Sequence, residues 1–189
     1  MRSITRMASF VFVLMFCFML RAAEPLRGPL LRSVTVKTDK GQATGVILKK
    51  GFVLTNFHVL HTYSGVKVDG KEACIVKADP KNDLLLLAVE TDDVPTLFPA
   101  HVITQDDKIV VIGNPLGHRE MILHGRITDI ADNLIYIDAH VFFGSSGSAV
   151  YNEKGELVGI VRGIEGEEDN GFPYGVVIPV DVVLRFLSN

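Results

Sequence analysis

The chain has 189 residues, of which 48% are hydrophobic and 22% charged, and its formal net charge is −3 at pH 7. This composition predicts a globular protein with its own core rather than a disordered chain. The slightly negative charge and the lack of any run of five basic residues argue against a nucleic-acid partner.

The first 23 residues have the pattern of an export signal. A basic start precedes the apolar segment 8–20, and small residues follow it. This order is typical of a secretory signal peptide, and the apolar segment is shorter than the roughly 20 residues of a membrane-spanning helix. Arg21 lies close to the predicted cleavage site, so a retained membrane anchor through residues 8–20 is the alternative. Both interpretations predict an exported protein, periplasmic or secreted.

The two cysteines are not expected to pair. Cys17 lies inside the predicted signal segment, which leaves Cys74 alone in the mature chain. Cys74 stands in the apolar context KEACIVKAD, and we expect it to be a small buried side chain on a strand.

Short apolar segments separated by Gly, Asp, Asn and Pro fill most of residues 31–179 and predict antiparallel strands. The first half contains SVTVKT, TGVILKK, GFVLTN, GVKVDG, EACIVKAD and DLLLLAVE, and the second contains KIVVIGNP, EMILHGRITDI, NLIYIDAH, GSAVYN, ELVGIVRG and YGVVIP. Two halves of six strands with no helical periodicity between them predict two packed β-barrels with a crevice between them.

The resulting architecture is all-β, with two six-stranded antiparallel barrels and one short helix. The first lobe is expected over residues 24–95, an irregular connection over 96–107 and the second lobe over 108–189. The helix is predicted in the tail DVVLRFLSN, with Asp181 as its N-cap.

Three polar residues from distant segments have the types and the order of a catalytic triad. His58 follows a predicted strand in LTNFHVL, Asp83 opens the buried strand DLLLLAVE, and Ser146 lies in GSSGS. A serine hydroxyl becomes a nucleophile only when a base lies within hydrogen-bond reach and a carboxylate orients that base. Asp79 and Asn82 are weaker alternatives to Asp83. The order His, Asp, Ser is that of the chymotrypsin-type triad.

Ser146 is favoured over the neighbouring Ser145 and Ser148 because it is flanked by Gly144 and Gly147. A tight turn that contains glycine allows two backbone N–H groups to converge on a substrate oxygen. The predicted donors of this oxyanion hole are the N–H groups of Gly144 and Ser146. Ser145 is expected to act as a spacer, and Ser148 to begin the next strand.

Five segments together resemble the protease domain of the HtrA (Deg) family of trypsin-like serine proteases. They are LTNFHVL, DPKNDLLLLAVE, VVIGNPLG, YIDAHVFFGSSGSAVYNEKGELVGIV and YGVVIPVDVVLRFL, in the family's order, and they span roughly residues 31–187. The resemblance implies the chymotrypsin-like double barrel. It also implies that His58 is the general base, Asp83 its orienting partner and Ser146 the nucleophile of a serine endopeptidase that cleaves protein or peptide substrates.

The sequence departs from the family pattern beside the nucleophile. The family usually has Gly-Asn-Ser-Gly-Gly, whereas Ser145 replaces the Asn and Ser148 replaces the second Gly here. Ser145 cannot form the ion pair by which chymotrypsin is activated, and the side chain of Ser148 is expected to alter the oxyanion turn. The sequence ends at Asn189, so the resemblance is to a protease domain without the PDZ domain that commonly follows.

Four further residues are predicted to contact the substrate. The edge of the strand at Arg162, Gly163 and Ile164 is expected to pair with the substrate backbone. His140, six residues before Ser146, is predicted to narrow or polarise the pocket for the residue that precedes the cut bond. The alternative is a His140 ring that is turned into the protein and bonded to a carbonyl.

No metal or cofactor is expected, because no Cys or acid completes a zinc set around His58 and His61. The main prediction is therefore an exported serine endopeptidase. The rivals are a catalytically silent binding or chaperone module that keeps the triad, and a structural β-barrel domain. A monomer is slightly favoured over a trimer, because little chain precedes the first strand.

Overall fold

The computed structural model describes residues 32–39, 41–60, 65–92, 97–166 and 174–188. The predicted export signal, residues 1–23, lies outside the described residues. Within the described ranges, no helix has both the length and the apolar character needed to span a bilayer.

Each half of the chain closes into a six-stranded antiparallel barrel. The strand order is β1-β2-β3-β6-β5-β4 in the first barrel and β10-β11-β12-β9-β8-β7 in the second. The strands of the first barrel are β1 (Ser33–Lys37), β2 (Gln42–Lys49), β3 (Phe52–Thr55), β4 (Val66–Val68), β5 (Lys71–Asp79) and β6 (Leu84–Ala88). Those of the second are β7 (Lys108–Gly113), β8 (Met121–Ala131), β9 (Leu134–Ile137), β10 (Ala149–Asn152), β11 (Leu157–Glu165) and β12 (Tyr174–Pro179).

The predicted all-β fold with two six-stranded barrels and a short C-terminal helix is confirmed. The helix, α1, covers Val180–Ser188 and begins immediately after β12. Asp181 therefore lies in its first turn, so its predicted place as the N-cap is wrong. Its carboxylate accepts a hydrogen bond from Arg185 Nη1 at 2.6 Å, one helical turn later. An acid in the first turn also interacts favourably with the helix dipole.

Each barrel has its own apolar interior, and a further cluster joins the two barrels. The interior of the first barrel includes Val36, Val53 and Leu87, and that of the second includes Ile127 and Ile137. The joining cluster takes Val46, Leu54 and Leu84 from the first barrel, and Val110, Tyr151, Leu157, Val183 and Phe186 from the second barrel and α1. Burial of this apolar surface holds the two barrels together.

Helix α1 also contacts the first barrel through Lys77 on β5. The Lys77 ammonium donates to the carbonyl of Phe186 and lies 4.7 Å from the centre of the Phe186 ring. A cation at the C-terminal end of a helix is favourable, because the last carbonyls carry partial negative charge. Helix α1 is thereby fastened to the first barrel.

The predicted burial of Cys74 is wrong, because its side chain is exposed on β5. Most residues of β5 are exposed, including the apolar Ile75 and Val76, whereas its partner strand β6 is largely buried. The register shifts between Ile75 and Lys77, so the strand is bulged where its apolar residues stand. The apolar residues in KEACIVKAD therefore did not show that β5 is solvent-exposed.

Candidate active site

His58 and Asp83 are joined by two hydrogen bonds in the first barrel. The backbone N–H of His58 donates to Asp83 Oδ1 at 2.8 Å, and His58 Nδ1 lies 2.8 Å from Asp83 Oδ2. The Asp83 side chain is 9% exposed and the His58 side chain 46%. A buried carboxylate that holds Nδ1 fixes the imidazole orientation and leaves the other ring nitrogen on the open side.

The backbone around this pair is fixed by short turns. Asp83 has a positive φ of 57°, and its carbonyl accepts from the Phe57 N–H at 3.2 Å and from Asn56 Nδ2 at 3.0 Å. The preceding turn is closed by Asp79, whose carboxylate accepts from Asn82 Nδ2 at 2.6 Å and from two backbone N–H groups. The bond from the Asn82 side chain is the main reason that the pKa of Asp79 lies below its usual value. Asp79 and Asn82, the weaker candidates, thus shape the turn that presents Asp83.

Ser146 lies in a turn of the second barrel between two glycines with positive φ, Gly144 at 90° and Gly147 at 87°. Ser145 is buried and closes this turn, since its N–H donates to the Phe142 carbonyl at 2.9 Å and its Oγ accepts from the Phe142 N–H at 3.1 Å. Within the described part of the chain, the N–H groups of Gly144 and Ser146 donate to no other group. The two predicted oxyanion donors are therefore available.

A β-bulge brings Arg162 to both sides of the site. The register between β11 and β12 shifts between Val161 and Gly163, so Arg162 is the extra residue of β11. Its carbonyl accepts a hydrogen bond from Ser146 Oγ at 3.2 Å, and its Nε lies 3.6 Å from Asp83 Oδ2. Bulges re-aim side chains in this way near functional sites. Asp83 of the first barrel and Ser146 of the second consequently both lie next to Arg162.

A cleft of about 460 Å³ opens at this place. Its lining includes His58, Asp83 and the three predicted substrate-contacting residues Arg162, Gly163 and Ile164. The sequence placed Arg162 at this edge but gave no indication that its side chain would approach Asp83. That contact is longer than a hydrogen bond, and the Arg162 side chain is 45% exposed, so we assign it a weak electrostatic effect.

His140 is exposed on a turn between the buried residues Ala139 and Val141. The turn is closed by a hydrogen bond from the Val141 N–H to the Ala139 carbonyl at 2.8 Å. The role of His140 in the substrate pocket stays a prediction.

Ser148 is fully buried immediately before β10 and is not among the residues that line the cleft. Its Oγ has no hydrogen-bond partner within the described residues. A Cβ on Gly113 would lie 1.9 Å from that Oγ, so the space for Ser148 exists because residue 113 lacks a side chain. The predicted effect of Ser148 on the oxyanion turn stays a prediction.

Two barrels with an Asp–His pair on one and a serine in a glycine turn on the other define the class of chymotrypsin-like serine-peptidase domains. The family model of the trypsin-like peptidase domain matches residues 43–160. The chain belongs to this family.

The relatives are proteases of the HtrA type. The chain is 32% identical over 164 residues to the periplasmic serine endoprotease DegP of Salmonella typhimurium, a match that covers 77% of this chain and 34% of DegP. It is 32% identical to the serine endoprotease DegS of Haemophilus influenzae, with 74% of this chain and 47% of DegS covered. The solved HtrA-type protease AlgW is similar with a TM-score of 0.74 and 27% identity, over 86% of this chain and 60% of AlgW. The chain thus spans between about a third and a half of the length of these two curated relatives.

Proposed function

We propose that this protein is an exported serine endopeptidase that cleaves protein or peptide substrates through an acyl-enzyme. The observation that carries the proposal is the doubly hydrogen-bonded pair of His58 and Asp83, together with Arg162, whose Nε lies 3.6 Å from Asp83 Oδ2 and whose carbonyl accepts from Ser146 Oγ. DegP, named as a periplasmic serine endoprotease, supports both the activity and the export, and DegS, named as a serine endoprotease, supports the activity.

In the proposed reaction Ser146 Oγ attacks the substrate carbonyl carbon while His58 takes the hydroxyl proton. Collapse of the tetrahedral intermediate breaks the C–N bond, and His58 gives the proton to the leaving amine. Water then attacks the ester, His58 acts as the base again, and Ser146 is restored as the acid product leaves. Asp83 holds the imidazole and stabilises its charged form, and the N–H groups of Gly144 and Ser146 bind the oxyanion.

The substrate backbone would add as a strand to the edge of β11. Strand β12 pairs with Gly163 and Ile164 on one side, whereas the pairing of β11 with β10 stops at Ile160. Within the described residues, Arg162 to Ile164 pair with no strand on that side, although the Arg162 carbonyl accepts from the Ser146 hydroxyl. This edge can bond an extended peptide, a known mode of peptide recognition. Beside it, His140 is proposed to shape the pocket for the residue before the cut bond.

A silent module is the second candidate, because one observation favours it. The Ser146 hydroxyl donates to the Arg162 carbonyl rather than to the His58 imidazole within the described part of the chain. Attack requires rotation of this side chain toward His58, and catalytic hydrogen bonds often tighten only in the substrate complex. In the endopeptidase, bound substrate would turn the Ser146 hydroxyl away from the Arg162 carbonyl and toward His58. In the silent module, the hydroxyl would remain bonded to Arg162.

A fluorophosphonate probe and casein digestion distinguish the two candidates. The wild-type protein, residues 24–189, is expected to be labelled and to digest casein, whereas Ser146→Ala and His58→Ala lose both. Asp83→Asn keeps the fold but is expected to turn over about 10⁴-fold more slowly, because the tautomer of His58 is no longer fixed. A folded wild type that is neither labelled nor active would favour the silent module.

A further inference from the structure

Thr44 is a buried residue of the first barrel that contacts the nucleophile turn of the second. It lies on β2 with no exposed surface. Its Oγ1 accepts from the Asn114 N–H at 2.9 Å and donates to the Gly144 carbonyl at 2.8 Å. A backbone N–H can only donate and a carbonyl can only accept, so the hydroxyl proton has a single place, toward Gly144.

The backbone of Thr44 holds the same turn at a second point. The Thr44 N–H donates to the Ser146 carbonyl at 2.9 Å, and the Thr44 carbonyl accepts from Thr55 Oγ1 at 2.7 Å. Thr44 thus fixes two carbonyls of the turn. One belongs to Gly144, two residues before the nucleophile, and the other belongs to Ser146 itself.

The other two carbonyls of the turn are also occupied. The Phe143 carbonyl accepts from the Leu116 N–H at 3.3 Å, and the Ser145 carbonyl accepts from the Ser148 N–H at 2.9 Å. In a trans peptide the C=O and N–H groups point in opposite directions. The N–H groups of Gly144 and Ser146 share their peptides with the carbonyls of Phe143 and Ser145, so fixing these carbonyls aims the two N–H groups away from Leu116 and Ser148.

Gly144 cannot hold this arrangement by its own stereochemistry. Its φ of 90° is open to glycine, and a glycine permits rotation of the adjoining peptides that a side chain would hinder. The peptide that joins Gly144 to Ser145 is therefore held by its two partners. Its N–H donates to the Phe142 carbonyl within the turn, and its carbonyl accepts from the Thr44 hydroxyl of the other barrel.

We propose that Thr44 is a positioning residue, whose hydroxyl orients the oxyanion turn from the opposite barrel and sustains turnover without touching the substrate. This inference rests on the proposed endopeptidase function and names a residue that the triad pattern does not include. Loss of the hydroxyl would leave the part-buried Gly144 carbonyl and the buried Asn114 N–H without this partner, and the peptide after Gly144 would be held only through the Ser145 N–H.

The test compares Thr44→Val, which keeps the shape and removes the hydroxyl, with Thr44→Ser, which keeps the hydroxyl. Thr44→Val is expected to lower kcat by roughly 10- to 100-fold with KM within about twofold of wild type, since losing one oxyanion donor outright costs about 10²- to 10³-fold. Thr44→Ser should restore most of kcat. Rates are divided by the active sites titrated with fluorophosphonate, so that unfolded protein does not count.

Ser33→Ala is the matched control. Its hydroxyl is also buried and also crosses between the barrels, to the Ile112 carbonyl at 3.2 Å, but it does not contact the turn. This variant should lower the melting temperature and leave kcat per titrated site unchanged. If Thr44→Val does not fold, Thr44→Cys serves in its place, because its weakly donating thiol predicts a kcat between those of wild type and Thr44→Val.

An active wild type with an unchanged kcat in Thr44→Val, or a change in KM alone, overturns the inference. So does an equal loss of kcat in Ser33→Ala, which would point to general destabilisation. Failure of the proposed function gives a different result, since the wild type would then show no turnover to compare.

Discussion

The two halves of the candidate active site, one on each barrel, are held in different ways. His58 and Asp83 are fixed by hydrogen bonds within the first barrel, from the Asn56 side chain and the Phe57 backbone. The turn that carries Ser146 is fixed partly by the other barrel, through Thr44. The acid–base pair is thus a local structure, whereas the nucleophile turn depends on how the barrels dock. Damage to the docking surface should therefore affect Ser146 before it affects His58.

The largest loss of stability is expected from a substitution where the nucleophile turn contacts the first barrel. A Cβ on Gly147 would lie 1.9 Å from the Thr44 carbonyl, and the φ of Gly147 is 87°. Gly147→Ala therefore combines overpacking against backbone with a left-handed conformation, and we expect it to lower the free energy of unfolding by about 3 kcal/mol or more. Urea unfolding followed by circular dichroism measures this loss.

Gly163→Ala is the control for that substitution. A Cβ at Gly163 meets no atom within 4 Å, and the residue lies on β11 of the same barrel. Its free energy of unfolding should stay within about 0.5 kcal/mol of wild type. Equal effects of the two substitutions would contradict the dependence of the turn on the first barrel.

The sequence predicted the parts of the structure that rest on local patterns. Alternating apolar segments indicated twelve strands, and residue order indicated His58, Asp83 and Ser146 as one set. It could not reveal Thr44, because a threonine in TGVILKK resembles any strand residue and its partner Gly144 is 100 positions away. The sequence also did not predict that Cys74 is exposed, because the burial of a strand depends on which other elements pack against it.

Smaller changes in the free energy of unfolding are expected when Ser145 or Ser148, the other two serines near Ser146, is replaced by alanine. The Oγ of Ser148 is buried without a partner in the described residues, whereas that of Ser145 accepts from the Phe142 N–H. Removing an unpaired buried hydroxyl while keeping Cβ removes a desolvation cost, so Ser148→Ala should raise the free energy of unfolding by about 1 kcal/mol.

Ser145→Ala should change stability in the opposite direction by a similar amount, because it leaves the Phe142 N–H unpaired. The two variants have the same chemistry in the same turn, so only their partners differ. Thermal or urea unfolding of both measures the signs, and a loss of stability in Ser148→Ala would indicate that its hydroxyl has a partner.

The smallest change in the free energy of unfolding is expected at His140, because this residue is exposed. His140→Ala should leave the free energy of unfolding within about 0.5 kcal/mol of wild type. If its ring borders the pocket before the cut bond, the variant should accept larger side chains there, and cleavage of a peptide set varied at that one position measures the change. An unchanged preference would remove His140 from the pocket. A large loss of stability would show that this part of the second barrel is held by more than the contacts that fix the nucleophile turn.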